Sequence, residues 1–130
     1  MKKAELLQKA YELFTEQGYA QGSIQKLADS LGITKASLYH YFVSKAELLK
    51  KTCSYILDKH QEEFDPMHIF FVLKMIFEFT HDQKMGRFLQ DTLSRLFVVA
   101  DSWDKEMMKK SKDWDQVAIA LLKKLEEIGK

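Results

Sequence analysis

A single cysteine, Cys53, excludes any disulfide within the chain and agrees with a reducing compartment. One proline and five glycines in 130 residues leave few points at which a helix is forced to stop. The densest apolar run, Ile69 to Leu73, ends at Lys74, far short of the roughly 20 residues of a membrane span. No association with a membrane is expected. Met1-Lys2-Lys3 leads into an amphipathic pattern and not into the apolar centre of a signal peptide, so the expected localisation is cytoplasmic. No glycine-rich loop is left over to cradle a phosphate, because Gly18, Gly22 and Gly32 fall at stops and turns. Cys53 sits mid-helix with no histidine partner evident and reads as a packing residue, so no enzyme is expected. The net charge of +1 gives no global basic signal. The sign is uneven, though. Residues 1–51 hold eight lysines against five carboxylates, a balance of +3, and the remainder is at −2. The positive end suits a polyanionic partner.

What is present is helical spacing along nearly the whole chain, with no sustained alternation of period two. The expected fold is all-α: an N-terminal three-helix bundle, residues 1–47, followed by a compact helical domain, residues 48–130. The first helix is expected over about 2–17, with Ala4, Leu7, Ala10, Tyr11 and Phe14 on one face and a left-handed stop at Gly18. Ser23 caps a helix over 24–31 whose stripe is Ile24, Leu27, Ala28 and Leu31. Gly32 ends it, Thr34 caps a helix over about 35–41, and Ser44 caps another that runs from Lys45 to about Phe64, before Asp65-Pro66. Further helical patterns cover 67–80, 84–100 and 113–128, with a short polar helix or loop over 101–112.

Residues 23–45 carry the strongest functional signal. Two short helices joined by Leu31-Gly32-Ile33 make a helix-turn-helix, in which the second helix enters the major groove of DNA. Stepping 100° per residue from Thr34 puts Leu38 and Phe42 inward and Ala36, Ser37 and His40 outward, flanked by Lys35 and Tyr39. Small and polar side chains on that arc suit base edges: Ser and His form hydrogen bonds, and Ala touches a thymine methyl. The helix starts capped by Ser23, Thr34 and Ser44 offer backbone N–H groups and partial positive charge to phosphates. Tyr39 and Tyr41 add hydroxyl donors. Lys45 in the first turn of its helix opposes the helix dipole and makes sense beside an anion.

Gly18-Tyr19, Ser23-Ile24, Leu27-Ala28, Leu31-Gly32-Ile33-Thr34-Lys35, Leu38-Tyr39, Tyr41-Phe42, Lys45 and Leu48 together resemble the N-terminal DNA-binding domain of the TetR/AcrR family of bacterial transcriptional regulators. The resemblance covers about residues 4–50. Ala36 stands where the family commonly has Gly, and Tyr41 where it commonly has His. The resemblance implies that Gln25, Lys35, Ala36, Ser37, Tyr39 and His40 lie near bases, and that Ser23, Thr34, Tyr41 and Lys45 meet phosphate or the groove edge. It implies a regulator, a repressor by expectation, acting on double-stranded DNA as a homodimer at a pseudo-palindromic operator. Members of the family are typically longer, and their last helices usually pair with a second subunit. Here that role falls to the stripe Trp114, Val117, Ala118, Leu121, Leu122, Leu125 and Ile128, with 84–97 second; closure of a monomer core is the equal alternative.

The second half leaves other readings open. Its methionines and phenylalanines could line a cavity for a small apolar effector, although the same spacing describes a plain core. His60, Glu63, Asp65 and His68 are close in sequence, but Pro66 interrupts the helix before His68, and neither a metal nor any other cofactor is expected. The competing class is a helical protein–protein interaction or small-molecule-sensing module with little DNA-binding output.

Overall fold

The computed structural model describes residues 2–110 in backbone and residues 2–97 in side chain. Among the described residues six helices follow one another: α1 Lys3–Gln21, α2 Ile24–Leu31, α3 Lys35–Leu38, α4 Lys45–Glu62, α5 Pro66–Glu78 and α6 Gln83–Lys110. No strand occurs among the described residues, and the fold is all-α. The chain divides between Ile56 and Leu57, within α4, into two compact units. None of the described helices is long and apolar enough to cross a membrane.

In the N-terminal unit the buried apolar residues come from each of the first four helices. Leu6, Leu7, Ala10 and Phe14 of α1 are buried with Ile24, Leu27 and Ala28 of α2, Leu38 of α3 and Leu48, Leu49, Cys53 and Ile56 of α4. Each fully buried Leu, Ile or Phe side chain contributes about 1.5–3 kcal/mol of transfer free energy, and this set fixes the small unit. The Tyr55 hydroxyl donates to Gln8 Oε1 at 2.7 Å, joining α4 to α1 at the edge of that core. The phase of α1 differs from the expected one at its start. Ala4 is exposed, Tyr11 half-buried, and Leu6 takes a buried place that the sequence pattern did not assign.

Two glycines shape the passage from α1 to α2. Gly18 has φ 81 and ψ 173 inside α1, so the expected stop is a sharp break after which one more turn follows. That combination of angles is essentially restricted to glycine. Gly22 closes α1 by donating its amide to the Gly18 carbonyl at 3.0 Å. A Cβ built on Gly22 would lie 2.8 Å from that same carbonyl oxygen and 3.1 Å from Phe14 Cδ1, so the chain approaches itself too closely there for any side chain.

In the C-terminal unit, Asp65 and Pro66 start a helix instead of only ending one. Asp65 Oδ1 accepts from the Met67 amide at 2.9 Å, and Pro66 occupies the first helical position, where its missing N–H costs nothing. Ile69, Phe70, Phe71, Val72 and Met75 of α5 are buried, as are Met85, Leu89 and Leu96 of α6. The burial of α5 is incomplete, since Phe77 is exposed. Residues 101–110 belong to the single helix α6, not to a separate polar helix or loop. The stripe over 113–128 lies outside the described residues.

Candidate nucleic-acid interface

The turn between α2 and α3 is built by glycine. Gly32 adopts φ 69 and ψ 29, the left-handed region in which a side chain is strained. Its amide donates to the Asp29 carbonyl at 3.2 Å, and the Ile33 amide donates to the Ala28 carbonyl at 3.1 Å. These two nested bonds are the Schellman arrangement, which satisfies the last carbonyls of α2 while reversing the chain. Thr34 then caps α3: its Oγ1 accepts from the Ser37 amide at 3.1 Å, and its hydroxyl donates to Ser37 Oγ at 2.9 Å.

The second helix of this pair is shorter than the spacing predicts. α3 has a single turn, Lys35–Leu38, where a helix to about residue 41 was expected. Beyond it the chain tightens. The His40 amide donates to the Ser37 carbonyl at 3.2 Å and the Tyr41 amide to the Leu38 carbonyl at 2.9 Å, both three residues apart. This tightened path keeps Leu38 and Phe42 buried, at 0% and 2% exposed. It leaves Lys35, Ala36, Tyr39 and His40 exposed, with Ser37 and Tyr41 half-buried. Tyr39 packs its ring edge toward Phe42, centroids 5.5 Å apart, while remaining 44% exposed. Val43, two residues before α4, is 83% exposed.

The remaining candidates take up positions around this segment. Ser23 Oγ accepts from the Lys26 amide at 3.2 Å and caps α2. Gln25 is exposed on α2, its amide donating to Asp29 Oδ1 at 3.0 Å. Ser44 Oγ accepts from the Glu47 amide at 3.1 Å and caps α4. Lys45 carries its ammonium 4.6 Å from the centre of the Tyr19 ring. This cation–π contact gives the lysine a partner inside the chain, so its place in the first turn no longer requires an anion to explain it.

Two residues at this face were not singled out by sequence reasoning. Lys51 donates from Nζ to the Tyr41 carbonyl at 2.8 Å and pairs with Glu47 Oε1 at 3.1 Å. Glu47 Oε1 also accepts from the Val43 amide at 3.4 Å. The hydrogen bond from Lys51 holds the Glu47 carboxyl below the usual carboxylate range; desolvation opposes it, and the Val43 amide adds a smaller lowering effect. Glu47 was legible as the fourth residue of a Ser-x-x-Glu capping pattern starting at Ser44. Lys51 was legible only as the i, i+4 partner of Glu47, not as a donor to the Tyr41 carbonyl.

The histidines set aside in the sequence do meet. His60 and His68 bring their Nδ1 atoms to 3.1 Å, because the turn before Pro66 folds α5 back toward the end of α4. Among the described residues no three metal-ligating side chains gather in one place.

A single-turn helix on a Schellman turn, with capped helices on either side, gives the N-terminal unit the form of a helix-turn-helix domain. Residues 6–52 match the model of the family described as bacterial regulatory proteins, tetR family. Curated relatives agree. The HTH-type transcriptional repressor KstR2 of Mycobacterium tuberculosis is 37% identical over 57 residues, covering 44% of this chain and 28% of its own. KstR2 of Mycolicibacterium smegmatis is 39% identical over 54 residues, 42% of this chain and 26% of its own. The negative transcriptional regulator of the biofilm operon icaADBC, IcaR of Staphylococcus epidermidis, is 27% identical over 85 residues, 58% of this chain and 46% of its own. The matched part thus spans less than half of each of these relatives. No solved structure matches.

Proposed function

We propose that the protein is a sequence-specific DNA-binding transcriptional regulator, a repressor that acts as a homodimer on a pseudo-palindromic operator of double-stranded DNA. The observation that carries this reading is the exposed face formed by Lys35, Ala36, Tyr39 and His40 on a helix whose inward residues, Leu38 and Phe42, are buried. Such a face is narrow, polar at its centre and flanked by one cation, which matches the edges of bases between two phosphate strands. Ala36, Ser37, Tyr39 and His40 read bases, with Lys35 and Gln25 at the margins. Ser23, Thr34, Tyr41 and Lys45 lie toward the backbone. The repressor sense rests on the names of the KstR2 and IcaR relatives.

The test is binding of purified protein to duplexes selected from a randomised pool, with affinity measured against salt. Lys35→Ala flattens the log–log salt slope by about 0.9 if Lys35 neutralises one phosphate. His40→Ala or Tyr39→Ala lowers discrimination between selected and scrambled duplexes by about 1–3 kcal/mol. If Lys35→Ala, Lys45→Ala and Tyr39→Ala combined leave affinity and slope unchanged, the reading is wrong.

A cleft of ≈ 430 Å³ in the C-terminal unit, lined by Ile76, Phe79, Asp82, Gln83, Arg87 and Gln90 among others, mixes charged and apolar groups. No effector is assigned to it.

A further inference from the structure

The segment after α3 has no regular structure of its own, yet it sets the direction of Tyr39 and His40. It is pinned on its apolar side by Leu38 and Phe42, both buried. Its polar side is pinned from α4. Lys51 Nζ donates to the Tyr41 carbonyl at 2.8 Å, and Glu47 Oε1 accepts from the Val43 amide at 3.4 Å. The two side chains are one helical turn apart and bonded to each other at 3.1 Å. Tyr41 is therefore held at both ends of its peptide, since its own amide donates to the Leu38 carbonyl at 2.9 Å.

We propose that Lys51, acting through Glu47 and the Tyr41 carbonyl, is a positioning residue for DNA recognition, a role that rests on the DNA-binding reading above and deepens it. Its ammonium is directed to a carbonyl and a carboxylate of the same chain, and it does not act as a phosphate contact. Three consequences follow from the geometry. The bond to Tyr41 fixes where the tight turns after α3 end. The ion pair neutralises a carboxylate that would otherwise stand near the groove edge and repel phosphate. Glu47, held in place by Lys51, keeps the backbone of the exposed Val43 bonded. An ammonium bonded to a neutral carbonyl is worth more than an ordinary neutral hydrogen bond.

Removing Lys51 therefore acts in two ways, by freeing the backbone and by baring the charge of Glu47. The experiment separates them with Lys51→Met alone, Glu47→Gln with Lys51→Met, and Lys51→Arg. Each is assayed on one duplex selected from a randomised pool by the wild-type protein and on its scrambled counterpart, with amide hydrogen exchange read over residues 39–43. The expected results are an affinity for the selected duplex about tenfold lower in the charge-neutral double variant, with the same salt slope as wild type, and faster exchange at the Tyr41 and Val43 amides. Lys51→Arg, which keeps a donor and a charge, restores both. The proposal is overturned if the double variant regains wild-type affinity, because the effect is then charge alone. It is also overturned if Lys51→Met leaves both affinity and exchange unchanged. If wild type itself does not discriminate the selected from the scrambled duplex, the DNA-binding reading fails, while the exchange data still decide whether Lys51 holds the segment.

Discussion

The Nδ1 atoms of His60 and His68 lie 3.1 Å apart across the turn that joins α4 to α5. The Asp65 amide also points at His60 Nδ1, at 3.4 Å, which makes that nitrogen an acceptor and places the His60 proton on Nε2. His60 Nε2 is buried and has no hydrogen-bond partner among the described residues. Protonating His60 at Nδ1 removes the acceptor for the Asp65 amide and places a charge in a buried site.

Acid is expected to loosen the C-terminal unit through this pair. Burial, and then the neighbouring His68, push His60 from 6.5 down to about 4, with Asp65 opposing. His68 is lowered as well, by burial first. For a base lowered on folding, the unfolded chain binds protons at a higher pH than the folded one. The associated stability is complete above pH 6.5 and is lost as pH falls toward 4. Thermal melts across that window should show a falling midpoint in wild type and a shallower fall in His60→Phe. An equally steep fall in a folded His60→Phe protein would place the acid sensitivity elsewhere.

Gly18→Ala and Gly22→Ala should both destabilise the N-terminal unit, for different reasons. At Gly18 the cost is torsional, on the order of 1–3 kcal/mol, since φ 81 and ψ 173 suit no other residue. At Gly22 the backbone angles are ordinary, and the cost comes from a Cβ 2.8 Å from the Gly18 carbonyl. Phe14→Leu should relieve part of the second and none of the first, measured as coupling in a double-mutant cycle of denaturant midpoints.

Thr34→Ala removes both the cap on α3 and the donor to Ser37 Oγ. A loss of about 1 kcal/mol in unfolding free energy is expected, with Thr34→Asn or Thr34→Ser retaining most of it. A variant as stable as wild type would mean that water replaces the cap.

Lys45 has two candidate roles, and Tyr19 separates them. Tyr19→Leu removes the ring 4.6 Å from the ammonium but leaves the charge. If Lys45 meets a phosphate, Lys45→Ala flattens the salt slope of DNA binding by about 0.9, and Tyr19→Leu does not. An unchanged slope in Lys45→Ala confines the lysine to its contact with Tyr19.

The features legible in the sequence are those set by near neighbours. Ser23, Thr34 and Ser44 cap the helices that follow them, and Gly32 takes the left-handed turn, because each needs only a residue three or four positions away. Features that join distant positions were not legible. Lys45 and Tyr19 are brought together by packing, and Lys51 reaches back ten residues to a backbone carbonyl that no side-chain pattern marks. The early end of α3 was missed for a related reason. Helical spacing carries the helix to residue 41 and already puts Leu38 and Phe42 on one face, so no side-chain pattern marks the change to bonds three residues apart after Ser37. At His60 and His68 the break at Pro66 was read as separation, whereas the turn it permits is what brings the rings together.

The length of α3 has a bearing on portability. Forming the first turn of a helix fixes several residues for one hydrogen bond, and isolated helices shorter than about 12 residues are marginal in water. A four-residue helix has no stability to take with it. A peptide of residues 33–44 would be a coil, and grafting that stretch onto another scaffold would transfer its letters without its shape. The proposed DNA-facing surface belongs to the folded N-terminal unit as a whole, to the buried Leu38 and Phe42 as much as to the residues that face outward.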